Sequence, residues 1–358
     1  MRRLGTFAGA RFAGVALPAV AIVAAAGLLA GGGSRPGLAA SPAAAAARRA
    51  AAAVSPPALA ADGQGLAGPA LAPAAAPARP GRRPACGCGP LAGVAAYLRG
   101  RAGVVQVALY DRATGRTSLV SDGPATQYTA SIVKADILAS WLRRYQSRPG
   151  TIPASIPYSV RYLMQNMITM SDNVAATGLF YFGGGCTALT RFNTRIPTRD
   201  TAVGCQTPTY YGWGNTTTTA ADQAAIVRTL AYPGRVLAPD ARAYGVSLME
   251  SVIPAQRWGV TCGPWGTDCA APDYARPVPG VTVALKNGWK FVPGCTAQDE
   301  SCPWQVNSIG WVSGAGRDYV LAVLTTDDPA GPGLAGFDYG IATTQGVSKL
   351  VWANLKPR

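Results

Sequence analysis

The chain has 358 residues, 49% hydrophobic and only 14% charged, with a formal net charge of +15, which is enough for one large domain or two small ones. It contains no histidine; this excludes a Ser-His-Asp triad, a Cys-His pair and His-ligated zinc, so a general base must come from Lys, Asp, Glu or Tyr. Glutamate is confined to Glu250 and Glu300, and lysine to Lys134, Lys286, Lys290, Lys349 and Lys356.

At the N-terminus, Met1-Arg2-Arg3 and Arg11 precede an uncharged apolar run from Phe12 to Ala30, followed by Gly-Gly-Gly-Ser. Residues 1–30 therefore read as a signal peptide or as a single membrane anchor through residues 12–30: the run can span a bilayer, and small residues near Ala30 and Ala40 suit a signal peptidase. Residues 31–85 are Ala, Pro and Gly with a few Arg, a composition that cannot bury a core and reads as a disordered, partly polyproline linker. Residues 1–85 carry nine Arg against one Asp. Solvated linker charge is the plain reading; affinity for anionic lipid or wall polymer is the other. Aromatic platforms and basic helices are missing, so no nucleic-acid partner is expected.

All eight cysteines lie beyond the linker, at 86, 88, 186, 205, 262, 269, 295 and 302. An even number behind an export segment implies disulfides and an extracytoplasmic location, secreted or tethered to the outer face of the membrane. The later cysteines lack zinc-ligand spacing, so neither a metal site nor any cofactor is expected. Local closure suggests Cys262–Cys269, Cys295–Cys302 and Cys186–Cys205, leaving Cys86 with Cys88 in a strained small ring.

Residues 86–358 form the candidate catalytic domain. It opens with a short helix over Pro90–Arg99, then an alternating apolar hairpin turned at Ala113–Gly115. Helices follow around Ser131, from about Ser159, after Asn173, from about Ala220 with Thr219 and Asp222 as a capping pair, and over Ala241–Val252. Strands return in VTVALKNGWKF, WQVNSIGWVSG and RDYVLAVLTTD, and a helix over Gly340–Asn354 closes the chain. Strands that bracket a helical middle predict an α+β fold, with the sheet assembled from both ends of the sequence and the helices forming a separate lobe.

Tyr128–Leu142 reads YTASIVKADILASWL. Its apolar residues surround most of the helix, so Lys134 has to be satisfied in the interior, by an ion pair or as an amine of lowered pKa. Ser131 precedes it by three residues, one turn away on the same side, near unpaired backbone N–H groups at the helix start. A neutral Lys134 there is a base for the Ser131 hydroxyl. Ser-x-x-Lys alone is a weak signal, because an N-cap serine followed by a surface lysine gives the same spacing. Two further stretches strengthen it: Ser171-Asp172-Asn173 between helices, and Lys286-Asn287-Gly288 on a strand, in that order.

With these three motifs the chain resembles the penicillin-recognising serine enzymes, most closely the class A beta-lactamases, over about Leu91–Leu355. The resemblance implies a beta-lactamase/transpeptidase-like fold, an antiparallel sheet flanked by helices plus an all-helical lobe with the active site between them. It makes Ser131 the acyl-accepting nucleophile and Lys134 its base, with Ser171 passing a proton to the leaving nitrogen. Asn173 holds the substrate amide, Asp172 is mainly structural, and Lys286 attracts the substrate carboxylate and tunes Ser171. The backbone N–H groups of Ser131 and Trp289 form the oxyanion hole, and Gly288 lets the substrate approach the strand.

Two departures stand out. Asn287 occupies the place of a Thr or Ser, so an amide is expected to replace a hydroxyl contact to the substrate carboxylate. The glutamate that activates the hydrolytic water in class A beta-lactamases has no counterpart in the loop RIPTRDTAVGCQTPTYYGWGNT. That loop offers only Asp200, as a water activator or, more plainly, as an ion-pair partner of Arg199 or Arg195; Glu250 falls late in a helix. The expected activity is an exported serine hydrolase, monomeric, acting on a beta-lactam or a D-Ala-D-Ala-like wall peptide. The alternatives are a non-catalytic or very slow penicillin-binding module and a serine amidase with another substrate.

Overall fold

The computed structural model describes residues 89–121, 126–148, 150–205, 211–269, 276–292, 295 and 299–358. The predicted export segment, the linker and the Cys86–Cys88 pair lie outside the described residues.

After a short helix α1 (Val94–Arg99), strands β1 (Val104–Asp111) and β2 (Arg116–Ser121) form the expected hairpin. Three long strands close the sequence, β5 (Val281–Phe291), β6 (Trp304–Gly314) and β7 (Arg317–Thr326). The sheet order is β2-β1-β7-β6-β5, every neighbour antiparallel. The early hairpin thus joins the late strands through the β1–β7 pair, in register from Val104 opposite Thr326 to Asp111 opposite Tyr319. A two-stranded ribbon, β3 (Gln127–Tyr128) with β4 (Thr217–Thr218), lies apart.

Period-two alternation on β1 builds two cores at once. Val105, Val107 and Leu109 face one way and join Val94, Leu98, Val347 and Val351 of α1 and the C-terminal helix. Ala108 and Tyr110 face the other way, into the larger core shared with the helical lobe. Because helices cover both faces, β1 and β7 are apolar almost throughout, whereas edge strand β2 alternates between exposed and partly buried.

The lobe comprises α2 (Val133–Tyr145), α3 (Tyr158–Thr169), α4 (Asn173–Phe182), α5 (Gly185–Asn193), α6 (Ala220–Ala231) and α7 (Pro239–Glu250), and α8 (Ala335–Asn354) ends the chain. Asp172 caps α4 by accepting from Ala175 N at 2.6 Å, and Thr219 caps α6 by accepting from Asp222 N at 3.1 Å. Each satisfies one orphan donor of a helix start. Helix α5 was not legible because it begins in a run of glycines, with Gly184 and Gly185 at positive φ (99° and 58°). The α8 helix starts several residues before the expected Gly340, since Gly336 and Gly340 are accommodated where it passes close to Trp304 and Val306. The disulfides Cys186–Cys205, Cys262–Cys269 and Cys295–Cys302 are those suggested by local closure. Among the described residues no helix is long and apolar enough to cross a membrane.

Candidate active site

Ser131 sits in a 3-10 turn, Ala130–Ile132, that leads directly into α2. The residue before it, Ala130, is held at φ 47°, a left-handed conformation that costs a non-glycine residue of order 1 kcal/mol or more. Packing secures this turn: Ile132, Val133 and Leu138 are fully buried, as the all-round apolar pattern of the segment requires.

Lys134 is fully buried as well. Its Nζ lies 2.6 Å from Ser171 O, 2.6 Å from Asn173 Oδ1 and 3.1 Å from Ser171 Oγ. Lys286, also buried, approaches the same hydroxyl from β5, with Nζ 2.9 Å from Ser171 Oγ and 2.8 Å from Asn287 O. Desolvation pushes the Lys134 pKa well down; the nearby Lys286 adds to this and Asp172 opposes it. Burial also lowers Lys286, to about 7. Ser171 O and Asn173 Oδ1 can only accept, so a neutral Lys134 donates to both and turns its lone pair to the Ser171 hydroxyl. Among the described residues Lys134 Nζ makes no hydrogen bond to Ser131 Oγ; its hydroxyl partner is Ser171. Ser171 has φ 59°, a second strained residue in the cluster.

Alternation along β5 sorts the third motif onto two faces. Lys286, Gly288 and Lys290 share the face toward the helical lobe. Gly288 abuts the Ser131 turn so closely that an added Cβ would lie 2.7 Å from both Ser131 N and Ile132 N. Only glycine fits there. Asn287 and Trp289 face the other way. The Asn287 Nδ2 donates to Gln256 O at 2.8 Å and Trp258 O at 3.1 Å, so both amide protons are spent on main-chain carbonyls. The expectation of a substrate contact through that amide is therefore not met: strand alternation turns it away from Ser131. The Trp289 ring packs with Trp258 and Phe337, centroids 5.9 and 5.4 Å away.

The main chain of Trp289 is placed differently from its ring. Trp289 pairs with Val306, whose N–H donates to Thr325 Oγ1 on the β7 side. The pair is therefore a non-hydrogen-bonded one, and the Trp289 N–H lies along the free edge of β5, where Gly288 meets Ser131.

The loop expected to carry a second base instead brings Trp213 to Lys134, with Nζ 4.9 Å from the ring centroid. The indole Nε1 is fixed by Thr177 Oγ1 at 3.0 Å. Asp200 is exposed, and neither predicted ion pair, with Arg199 or Arg195, forms among the described residues. Its backbone N–H and that of Arg199 donate to Asp222, which also accepts from Thr201 Oγ1 at 2.8 Å. Asp222, read from sequence as one half of a capping pair, thus anchors this loop. Glu250 ends α7 and is exposed. No spacing in the sequence marks Trp213 as a neighbour of Lys134 or Asp222 as the anchor of this loop; the aromatic residues of Tyr-Tyr-Gly-Trp-Gly are the available signal.

A family model described as the beta-lactamase enzyme family matches residues 146–355. No curated protein matches the chain. Among solved structures, an ancestral class A beta-lactamase (GNCA) is similar at 24% identity and TM-score 0.56, covering 75% of this chain and 100% of that one. The class A beta-lactamase from Mycobacterium abscessus is 19% identical with a TM-score of 0.53, covering 73% and 97%. The TLA-1 extended-spectrum beta-lactamase is 16% identical with a TM-score of 0.55, covering 74% and 97%. At these identities the likeness is one of fold. It extends over the antiparallel sheet and the helical lobe, whereas the family match begins after Ser131 and Lys134.

Proposed function

Because the chain belongs to the beta-lactamase enzyme family, we propose that it is a serine hydrolase whose Ser131 forms an acyl-enzyme with a beta-lactam or a D-Ala-D-Ala-like peptide. The observation that carries this reading is the Ser171 hydroxyl held between two buried amines, Lys134 at 3.1 Å and Lys286 at 2.9 Å, beside the Ser131 turn. In the proposed reaction Ser131 Oγ attacks the amide carbonyl and its proton passes to neutral Lys134. The carbonyl becomes an oxyanion against the N–H groups of Ser131 and Trp289. Collapse breaks the C–N bond, and the proton reaches the leaving nitrogen from Lys134 through Ser171. Water then adds to the ester, releasing the acid and restoring Ser131. Asn173, held by Lys134, is the proposed contact for the substrate amide, and Gly288 leaves room for the substrate beside the strand.

Trp213 supports a second reading, a penicillin-binding protein that acylates readily and hydrolyses slowly, since an indole rather than a carboxylate covers Lys134. Labelling with a fluorescent penicillin, followed by intact-mass measurement over time, distinguishes the two. A lasting adduct on Ser131 favours slow release, rapid turnover favours a working beta-lactamase, and the absence of both adduct and turnover excludes both readings.

The three disulfides and the N-terminal apolar run support export. We read residues 1–30 as signal or anchor, 31–85 as linker and 86–358 as a monomeric catalytic domain on the outer side of the membrane.

A further inference from the structure

Beyond Gly288, on the same face of β5, Lys290 borders a cavity of about 690 Å³ lined by Tyr128, Val203, Gly204, Asn215, Thr217 and Phe291 among others. The Lys290 Nζ donates to Asn215 Oδ1 at 2.5 Å and stands 4.8 Å from the centroid of the Tyr128 ring. An ammonium has three N–H donors, and one is used here. Among the described residues lining the cavity there is no carboxylate, so this cation has polar and aromatic neighbours without a counter-ion. Desolvation already lowers its pKa, a cost that an incoming anion would offset.

The cavity's position fixes which part of a substrate would reach it. Tyr128 is three residues before Ser131, and Lys290 is two residues past Gly288, whereas Lys286 is two residues before it. At about 3.4 Å per residue the two lysines bracket the Ser131 turn along some 13–14 Å of strand. With Lys286 on the leaving-group side, as the acyl-enzyme reading has it, Lys290 lies on the acyl side.

We propose that Lys290 is a specificity determinant that pairs with a carboxylate on the acyl side of the substrate, so that the preferred acyl donors carry an anionic group at both ends. The proposal rests on the acyl-enzyme reading. A beta-lactam side chain and an acidic residue of a wall peptide both offer this carboxylate.

The test compares acylation of the full chain by benzylpenicillin and by its α-carboxy analogue, which differ by one carboxylate. In parallel, two D-Ala-D-Ala peptides differing only in glutamate or glutamine on the acyl side test the peptide source. The ratio of acylation rates, acidic over neutral, is expected to fall about tenfold or more in Lys290→Gln and further in Lys290→Glu, with labelling by the neutral partner retained. The pair that shows the fall identifies the source. If the neutral penicillin labels Ser131 normally and no ratio changes in either variant, Lys290 does not read the acyl side, and the acyl-enzyme reading stands. If neither penicillin nor peptide reacts with the wild type or binds to Ser131→Ala, the acyl-enzyme reading fails and this proposal with it.

Discussion

The Trp213 indole lies against the Lys134 amine, 4.9 Å from ring centroid to Nζ, and among the described residues no carboxylate hydrogen-bonds to that amine. In the proposed reaction acylation needs one base, the role proposed for Lys134, whereas hydrolysis of the ester needs a second base on a water. General-base catalysis contributes about 10²–10⁴ in rate, so deacylation is expected to be slower than in an efficient beta-lactamase by that order. Mixing enzyme with a chromogenic cephalosporin should give a stoichiometric burst and then slow turnover. Asp200→Asn should leave both phases unchanged, since Asp200 is exposed and holds its loop through its backbone. Fast steady turnover lost in that variant would place a water activator at Asp200 after all.

Ser131→Ala should abolish covalent labelling and leave the melting temperature nearly unchanged, as one hydroxyl at a helix start is removed. Ser171→Ala deprives both buried lysines of their hydroxyl partner. It should slow acylation by roughly 10² or more and cost about 1–3 kcal/mol of stability. Labelling kinetics and urea denaturation measure the two effects separately.

Asn287→Ala leaves two buried carbonyls, those of Gln256 and Trp258, without their donor. Its main effect should be on stability, a loss of about 1–3 kcal/mol in denaturant titration, with acylation changed by less than about tenfold. A larger loss of acylation in a variant of normal stability would show that Asn287 serves the substrate.

Asp136, buried on α2, accepts from Asn193 Nδ2 at 2.9 Å, while its Oδ1 and the Asn193 Oδ1 have no hydrogen-bond partner among the described residues. One proton on Asp136 completes a reciprocal acid–amide pair. Burial raises this carboxyl to about 7 from an ordinary 3.8. The folded state therefore holds the proton more tightly than the unfolded chain. The associated stability is complete below about pH 4 and is lost as pH rises through about 7. Asp328, raised to about 7 by burial, adds a contribution of the same sign. Lys286, lowered to about 7, adds one of opposite sign that is lost as pH falls through 7. Asp136→Asn can make the same paired bonds without a titrating proton. Relative to wild type it should be near neutral below about pH 4 and stabilising at pH 8, by up to about 4 kcal/mol. Equal melting temperatures for the two proteins at pH 8 would mean that folding does not raise the Asp136 carboxyl above its ordinary range.

What the sequence by itself determined was the part written in local pattern. Period-two runs and periodic apolar helices gave the α+β order and the hairpin, and cysteine spacing gave the three closures. The buried helical context marked Lys134 as an interior amine, and three ordered motifs named the residues that meet at Ser171. Tertiary structure alone decided what depends on neighbours remote in the chain. Lys134 reaches Ser171 rather than Ser131 because α4 begins beside α2. Asn287 serves the carbonyls of residues 256 and 258 because alternation on β5 turns it to the face opposite Lys286. Trp213 covers Lys134, and Asp222 gathers the loop at Arg199–Thr201, because folding brings α6 and the preceding turn against the Ser131 turn and α2. No spacing in the sequence encodes these approaches: side-chain direction and long-range packing are fixed only when the sheet and the lobe close on each other.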